Sequence, residues 1–304
     1  MKSMKIMTVL LTASLLASVA ACNDNSDDPA ALSTTTGQTT VAIITPGIST
    51  SESTIATQPN TPSDSQVPID LSSEASGANV PLLMQTDERW GSADYAGETI
   101  ATSGCGPVCL SMASLYLTGN ASYTPTYIAE YAQTNGYSNE DGTNWTLITN
   151  GAQFLGLSCA EVPLEKTVMT RLLQSGVPLI CAMGPGDFTQ SGHYIVLTGI
   201  RDGKFTVNDP NSAENSAKAW SYDEISSQIR NTWALWGTKL NTQQYTVTSA
   251  DINVREDASI DAKVKYRAGT DKTFTIDKIT NGGGYIWGHM NDGNWICMSY
   301  VKKV

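Results

Sequence analysis

The chain has 304 residues, with 18 Lys and Arg against 29 Asp and Glu, a formal net charge of −11, and 40% hydrophobic residues. That length and composition suit one or two domains with real cores that need no disulfides to fold. An acidic chain without a basic stripe argues against nucleic acid as the partner.

The first 21 residues, MKSMKIMTVLLTASLLASVAA, place Lys2 and Lys5 before an apolar run from Ile6 to Leu16 and then small residues, the order of an export signal. The run is shorter than the roughly 20 residues of a comfortable membrane span. It ends in VAAC, which resembles the bacterial lipobox, with Cys22 as the residue acylated after cleavage. Ordinary secretion, with Cys22 left unmodified or removed, is the alternative. The first reading predicts a protein on the outer face of the bacterial cytoplasmic membrane, at the cell surface, held by a lipid anchor on Cys22.

Residues 22–79 carry a charge of −7 and are rich in Ser, Thr and Pro, with no aromatic residue. Such a segment buries too little apolar surface to offset its ordering entropy, so it is expected to be a disordered tether. A flexible chain of this length has a root-mean-square span of roughly 40 Å.

Residues 80–245 carry the candidate chemistry. In ATSGCGPVCLSMASLYLTG (101–119), Gly106 permits close backbone approach and Pro107 has the fixed φ of a first helical turn. A helix is predicted from Pro107 to Leu117 or Thr118, stopped by Gly119. Its apolar residues leave little polar face, so it is expected to be buried. Cys105 then stands at the positive end of a helix dipole, which favours a nucleophilic thiolate. Further on, YIVLTGI reads as a strand, RDGK as a tight hairpin turn and FTVND as the returning strand. The hairpin brings His193, at the entry of the first strand, to Asn208 and Asp209 at the exit of the second. Asp209 suits the task of orienting the imidazole, with Asn208 as the alternative if strand parity slips by one.

PLLMQTDERWG…GETIATSGCGPVCLSMA, followed by SGVPLICAM…SGHYIVLTGI…FTVNDP, resembles the C39-like branch of papain-fold cysteine peptidases over most of residues 80–230. The resemblance implies an α+β fold, with a cysteine-bearing helix packed on an antiparallel sheet. It implies Cys105 as nucleophile, His193 as general base and then acid, and Asp209 as the orienter. Papain-like enzymes usually have glutamine six residues before the cysteine, where this chain has Thr99; Gln85 in the Q-x-D-x-x-W pattern is carried over as the oxyanion residue instead. No metal or organic cofactor is implied. The expected substrate is a peptide or protein, peptidoglycan stem peptides included, with specificity in the loops TNGYSNEDGTNW and GPGDFTQSG. Acyl or peptidyl transfer by the same residues is a second outcome. A non-catalytic wall-binding or adhesion protein is a third reading, kept open by Thr99.

Cys109 follows Cys105 by one helical turn, a poor fit to a disulfide, and is expected in the core; one pairing among Cys109, Cys159 and Cys181 stays open, and Cys297 has no spacing that reads as part of a framework. Trp90, Trp145, Trp220, Trp233 and Trp236 are expected in the core or the cleft wall.

Residues 246–304 carry a charge of +1 and read as a separate all-β module. Short alternating segments at 263–266, 273–279, 285–289 and 295–298 are punctuated by AGTD, NGGG and NDGN. INVRE, the GT before a strand and the closing GNWICMSYV together resemble bacterial SH3-like domains. That implies a small barrel with Tyr285, Trp287 and Trp295 in its core, which either binds a cell-wall ligand or serves only interdomain packing.

Overall fold

The computed structural model describes residues 68–140 and 142–304. The expected export signal, the Cys22 lipidation site and the tether up to residue 67 lie outside the described residues. Among the described residues, no helix is long and apolar enough to cross a membrane.

The folded unit takes in residues that composition assigns to the tether. A short helix, α1 (Ser72–Ala75), packs on the long central helix, and Leu71 and Ala75 are buried. Lys239 Nζ donates to Gly77 O at 2.7 Å. Few apolar residues suffice here because the surface they meet is already built by the rest of the chain.

A two-residue hairpin (Asp94–Tyr95 with Glu98–Thr99) leads into α2 (Ile100–Ser103) and α3 (Cys105–Thr118). Helix α3 begins two residues before the expected Pro107. Gly104 is its N-cap and accepts from Val108 N at 3.0 Å. Pro107 therefore falls in the third helical position, where a missing N–H costs nothing because the first turn has no acceptors for it. Gly119 ends the helix at φ 72°, as expected. The helix is buried on nearly all sides, and its hydroxyls are satisfied within the core: Ser111 Oγ donates to Tyr123 O and Ser114 Oγ to Leu110 O, each at 2.6 Å. Helix α4 (Pro125–Thr134), capped by the Thr124 side chain, and α5 (Thr146–Phe154) pack against it.

The remaining chain alternates β1 (Ser158–Glu161), α6 (Lys166–Gln174), β2 (Leu179–Met183), β3 (His193–Arg201), β4 (Lys204–Asn208), β5 (Ala219–Trp220) and β6 (Ile229–Trp236). These strands form one antiparallel sheet in the order β1-β6-β2-β3-β4-β5. Strand β2 and the first half of β3 are buried without a break, so both sheet faces are covered, and α3 and α6 both pack on β3. The hairpin between β3 and β4 turns through Asp202 and Gly203, both at positive φ (52° and 75°), the geometry of a two-residue turn.

The C-terminal region contains β7 (Tyr245–Val247), β8 (Ile252–Arg255), β9 (Val264–Ala268), β10 (Ile276–Gly282), β11 (Tyr285–Met290), β12 (Trp295–Cys297) and β13 (Val301–Lys303). Five form a sheet in the order β9-β8-β12-β11-β10, and β7 pairs with β13. Trp287 is fully buried, whereas Tyr285 and Trp295 are half-buried against it. This region does not stand apart. One contiguous apolar core runs from Leu71 to Val301 across both units, and at their junction the Trp236 and Tyr245 rings lie 5.6 Å apart.

Candidate active site

Cys105, His193 and Asp209 meet at one end of the six-stranded sheet. Cys105 is the first residue of α3, His193 the first of β3, and Asp209 the residue just past β4. His193 Nε2 hydrogen-bonds Asp209 Oδ1 at 2.7 Å, which leaves Nδ1 as the ring nitrogen for Cys105, a neighbour close enough to favour the imidazolium. The order is thiol, imidazole, carboxylate.

A bulge in β3 decides which residue reaches the histidine. Arg201 pairs with Lys204 and Gly199 with Thr206, but Leu197 pairs with Val207, so Thr198 is an extra residue on β3. Without it, continued pairing places Asn208 on the face of His193. With it, Asn208 pairs with Val196 on the opposite face, and Asp209 falls beside Ile195, diagonal to His193 and within side-chain reach. Asn208 instead donates to the carbonyl oxygens of Pro81 (2.8 Å) and Val80 (3.2 Å).

Asp209 is 1% exposed, and its charge is met from three sides. Besides His193, Asn211 N donates to Oδ1 and Asn215 Nδ2 to Oδ2, both at 2.9 Å. Burial opposes its ionisation, but the hydrogen bond and charge of His193, with Asn215 and Asn211, outweigh that and hold the carboxyl below its ordinary range. Burial likewise works against the His193 cation, yet Asp209 and Cys105 together raise the imidazole to about 9. Asn215 was not foreseen. Its signal is Ser212, which caps the short helix Ala213–Ala217 and so aims Asn215 back at Asp209.

Gln85 lines the same cleft as Cys105 and His193 and is buried. Its backbone N donates to Pro210 O at 2.8 Å, tying this segment to the Asp209 loop. Its Nε2 donates to Ala101 O at 2.7 Å, and its Oε1 has no partner among the described residues. Thr99 does not line the cleft; its hydroxyl pairs with that of Thr102 at 3.1 Å.

The cleft encloses about 760 Å³, and both loops expected to carry specificity contribute to it, through Thr143 and Trp145 on one side and Pro185 and Phe188 on the other. Thr143 is fixed by Tyr95 Oη at 2.7 Å and by Tyr194 Oη on its carbonyl at 3.2 Å. A Cβ on Gly106 would come within 2.5 Å of the Thr143 side chain, so the glycine beside the thiol permits this wall to close on α3. Trp145 is 49% exposed and packs edge-on against Trp233 at 5.7 Å; Trp90, Trp220, Trp233 and Trp236 are core residues.

Cys105, Cys109, Cys159 and Cys181 are all free thiols, so no pairing forms among the last three. Burial raises the Cys109 thiol well above its ordinary value and pushes Cys159 and Cys181 up to about 12.

A mixed helix and sheet domain with a half-buried cysteine at a helix start, set against a histidine–aspartate pair in a cleft, has the architecture of a thiol hydrolase. Residues 78–241 match the Peptidase_C39 like family, and the chain belongs to that family. Membership points to a cysteine peptidase-like or related hydrolase or amidase function. Among solved structures, the chain is similar to the peptidase domain of Streptococcus ComA, a bi-functional ABC transporter involved in a quorum sensing pathway, with 21% identity and a TM-score of 0.37 over 45% of this chain and 93% of that one. It is also similar to Ly7917, with 17% identity and a TM-score of 0.20 over 55% of this chain and 66% of that one. A second structure, Ly7917 with the hydrolyzing product of MDP, has 16% identity and a TM-score of 0.20 over 53% of this chain and 75% of that one. No curated protein matches the chain.

Proposed function

We propose that the protein is a surface-anchored cysteine peptidase that hydrolyses peptide bonds through Cys105, His193 and Asp209, with residues 246–304 as an SH3-like module and Cys22 as the lipid attachment point. The observation that carries the catalytic part is the grouping of thiol, imidazole and carboxylate: His193 Nε2 is bonded to Asp209 at 2.7 Å, and His193 and Cys105 line one cleft, close enough for Cys105 to favour the imidazolium.

His193 takes the thiol proton, and the Cys105 sulfur attacks the carbonyl carbon of the scissile amide. The developing oxyanion meets the Cys105 backbone N–H and the Gln85 amide, whose Nε2 gives one hydrogen to Ala101 O at 2.7 Å and makes only a long 3.4 Å contact with Thr102 O that the oxyanion can replace. The tetrahedral species collapses as the imidazolium protonates the leaving amine, leaving an acyl-thioester. Water, deprotonated by His193, attacks the thioester and restores the thiol. Asp209 holds the imidazole by Nε2 throughout and stabilises its positive charge. The position of Gln85 in the cleft favours turnover over the non-catalytic reading that Thr99 kept open.

Purified protein is expected to cleave a peptide library that includes peptidoglycan stem peptides, and Cys105→Ala to cleave none of it. Iodoacetamide is expected to label Cys105, on the cleft wall, well before the buried Cys109. Cys22→Ser is expected to leave the membrane fraction with its activity intact. Undiminished cleavage by Cys105→Ala would end this reading.

A further inference from the structure

Strand β6 also carries a bulge. Ile229 pairs with Met183 and Asn231 with Ala182, which leaves Arg230 as the extra residue on β6. A bulge re-aims the residue it inserts, and here the Arg230 side chain lies on the cleft wall. Its guanidinium rests against Gly184. A Cβ at that position would come within 2.4 to 2.6 Å of Nε, Cζ and Nη2, so only glycine lets the arginine lie there. Nη1 donates to Ser227 O at 3.0 Å, which holds one arm of the fork in place.

The charge of Arg230 is not neutralised locally. No described carboxylate lies within ion-pairing distance of it, and no aspartate or glutamate among the described residues lines the cleft. Asp187, on the loop after Gly184, is engaged elsewhere: its carboxylate accepts from Gln228 Nε2 at 2.7 Å. Arg230 is thus an exposed arginine on the wall of the candidate catalytic cleft with no carboxylate partner among the described residues. A planar fork with open donors matches a carboxylate in two-point geometry.

The spacing from His193 follows from the sheet. Ile229, Met183 and His193 stand in one row across β6, β2 and β3, and adjacent strands are about 4.8 Å apart. The Arg230 backbone is therefore about 10 Å from that of His193, and its guanidinium, lying against Gly184 next to Met183, is nearer, so the span is at most about three residues of extended peptide. We infer that Arg230 binds a carboxylate of the substrate within about three residues of the scissile bond, so that the cleft selects acidic peptides. This rests on the hydrolase reading for the location of the scissile bond. The carboxylate comes either from an acidic side chain or from the end of the peptide.

Binding separates this inference from turnover. Full-length Cys105→Ala is titrated with fluorescent hexapeptide pools in matched pairs, Glu against Gln at each position and free acid against amide at the C-terminus. The acidic member of one pair set is expected to bind about tenfold tighter, the scale of one charge-assisted contact. In the Arg230→Gln background the ratio should fall to about one; in Arg230→Lys it should be intermediate, and in Arg230→Glu it should invert. A response to the Glu/Gln set identifies a side-chain carboxylate, and a response to the acid/amide set a terminal one. A ratio near one in the parent, no binding of either member, or a ratio unchanged by Arg230→Gln overturns the inference. The same pools incubated with the intact thiol test the other reading. Acid-selective binding without cleavage ends the hydrolase proposal and leaves Arg230 as a carboxylate site, whereas cleavage without acid selectivity does the reverse.

Discussion

The C39-like unit and the C-terminal region hold one histidine each, and each histidine bonds an aspartate at nearly the same distance. His193 Nε2 meets Asp209 Oδ1 at 2.7 Å, and His289 Nδ1 meets Asp277 Oδ1 at 2.8 Å. Their surroundings differ. The first pair has side chains 7% and 1% exposed, and its histidine faces a thiol and lines a cleft; the second is 23% and 56% exposed, with the Trp295 ring 4.8 Å from His289. Water screens the second pair, while in the first the same charges act at low effective dielectric. A histidine–aspartate contact is thus common to both regions. What separates them is burial, the three donors gathered on Asp209, and a sulfur within reach of the other ring nitrogen.

The sharpest way to break this comparison is to remove each histidine in turn. His193→Ala is expected to lower kcat/KM for peptide cleavage by at least about a thousandfold, because the thiol loses its base and the leaving amine its acid. His289→Ala is expected to leave kcat/KM within about twofold. Steady-state kinetics on one peptide substrate measure both. A large loss in His289→Ala would place the exposed pair in the chemistry and undo the contrast.

Asp209→Asn is expected to act less strongly, lowering kcat by about a hundredfold, and it tests the electrostatic half of the comparison. His193 is raised to about 9 because Asp209 and Cys105 outweigh the effect of burial. The protonated imidazole that must donate to the leaving amine therefore persists from neutral pH up to about 9 and is lost above it. Wild-type kcat/KM is expected to show its alkaline limb there. With the carboxylate gone, burial is opposed by less, so the limb should move to lower pH. A pH–rate profile of the two proteins reads the shift directly. An unchanged limb would mean that Asp209 orients the ring without stabilising its charge.

Much of this site is legible in the chain before folding. The Gly-Pro run around Cys105 and the RDGK turn are local signals, and they place the helix start and the hairpin to within two residues because turn and cap chemistry are local. The two loops that line the cleft are legible for the same reason. The two bulges are not. Thr198 and Arg230 look like ordinary strand residues, and only the pairing of whole strands shows that each is one residue too many. The first brings Asp209 rather than Asn208 to His193, and the second turns an arginine into the cleft. The start of the folded unit is illegible too, since Ile69, Leu71 and Ala75 are a few apolar residues among polar ones until α3 supplies the surface they cover. The same holds for the junction of the two units: a difference in net charge separates residues 246–304 from the rest, whereas their shared core depends on shape.

That junction carries the smallest expected effect. Strand β1 is an edge of the six-stranded sheet, and β10 of the C-terminal region packs beside it. Ile279 N donates to Ser158 Oγ at 3.1 Å, and Asn281 Nδ2 to Glu161 O at 2.7 Å. Covering an edge strand in this way guards it against pairing with another chain. Because Asn281 is exposed, removing its amide trades two hydrogen bonds, the one to Glu161 O and one accepted from Gly284 N at 3.2 Å, for water, and Asn281→Ala is expected to cost about 0.5–1 kcal/mol. For a folded unit of this size that lowers Tm by about 1–4 °C in calorimetry. kcat/KM should not change, since neither residue reaches the cleft. If Asn281→Ala instead lowered kcat/KM while leaving Tm unchanged, the C-terminal region would be acting on the site through β1 and β6 as well as packing against it. The two regions would then share the reaction in addition to the core.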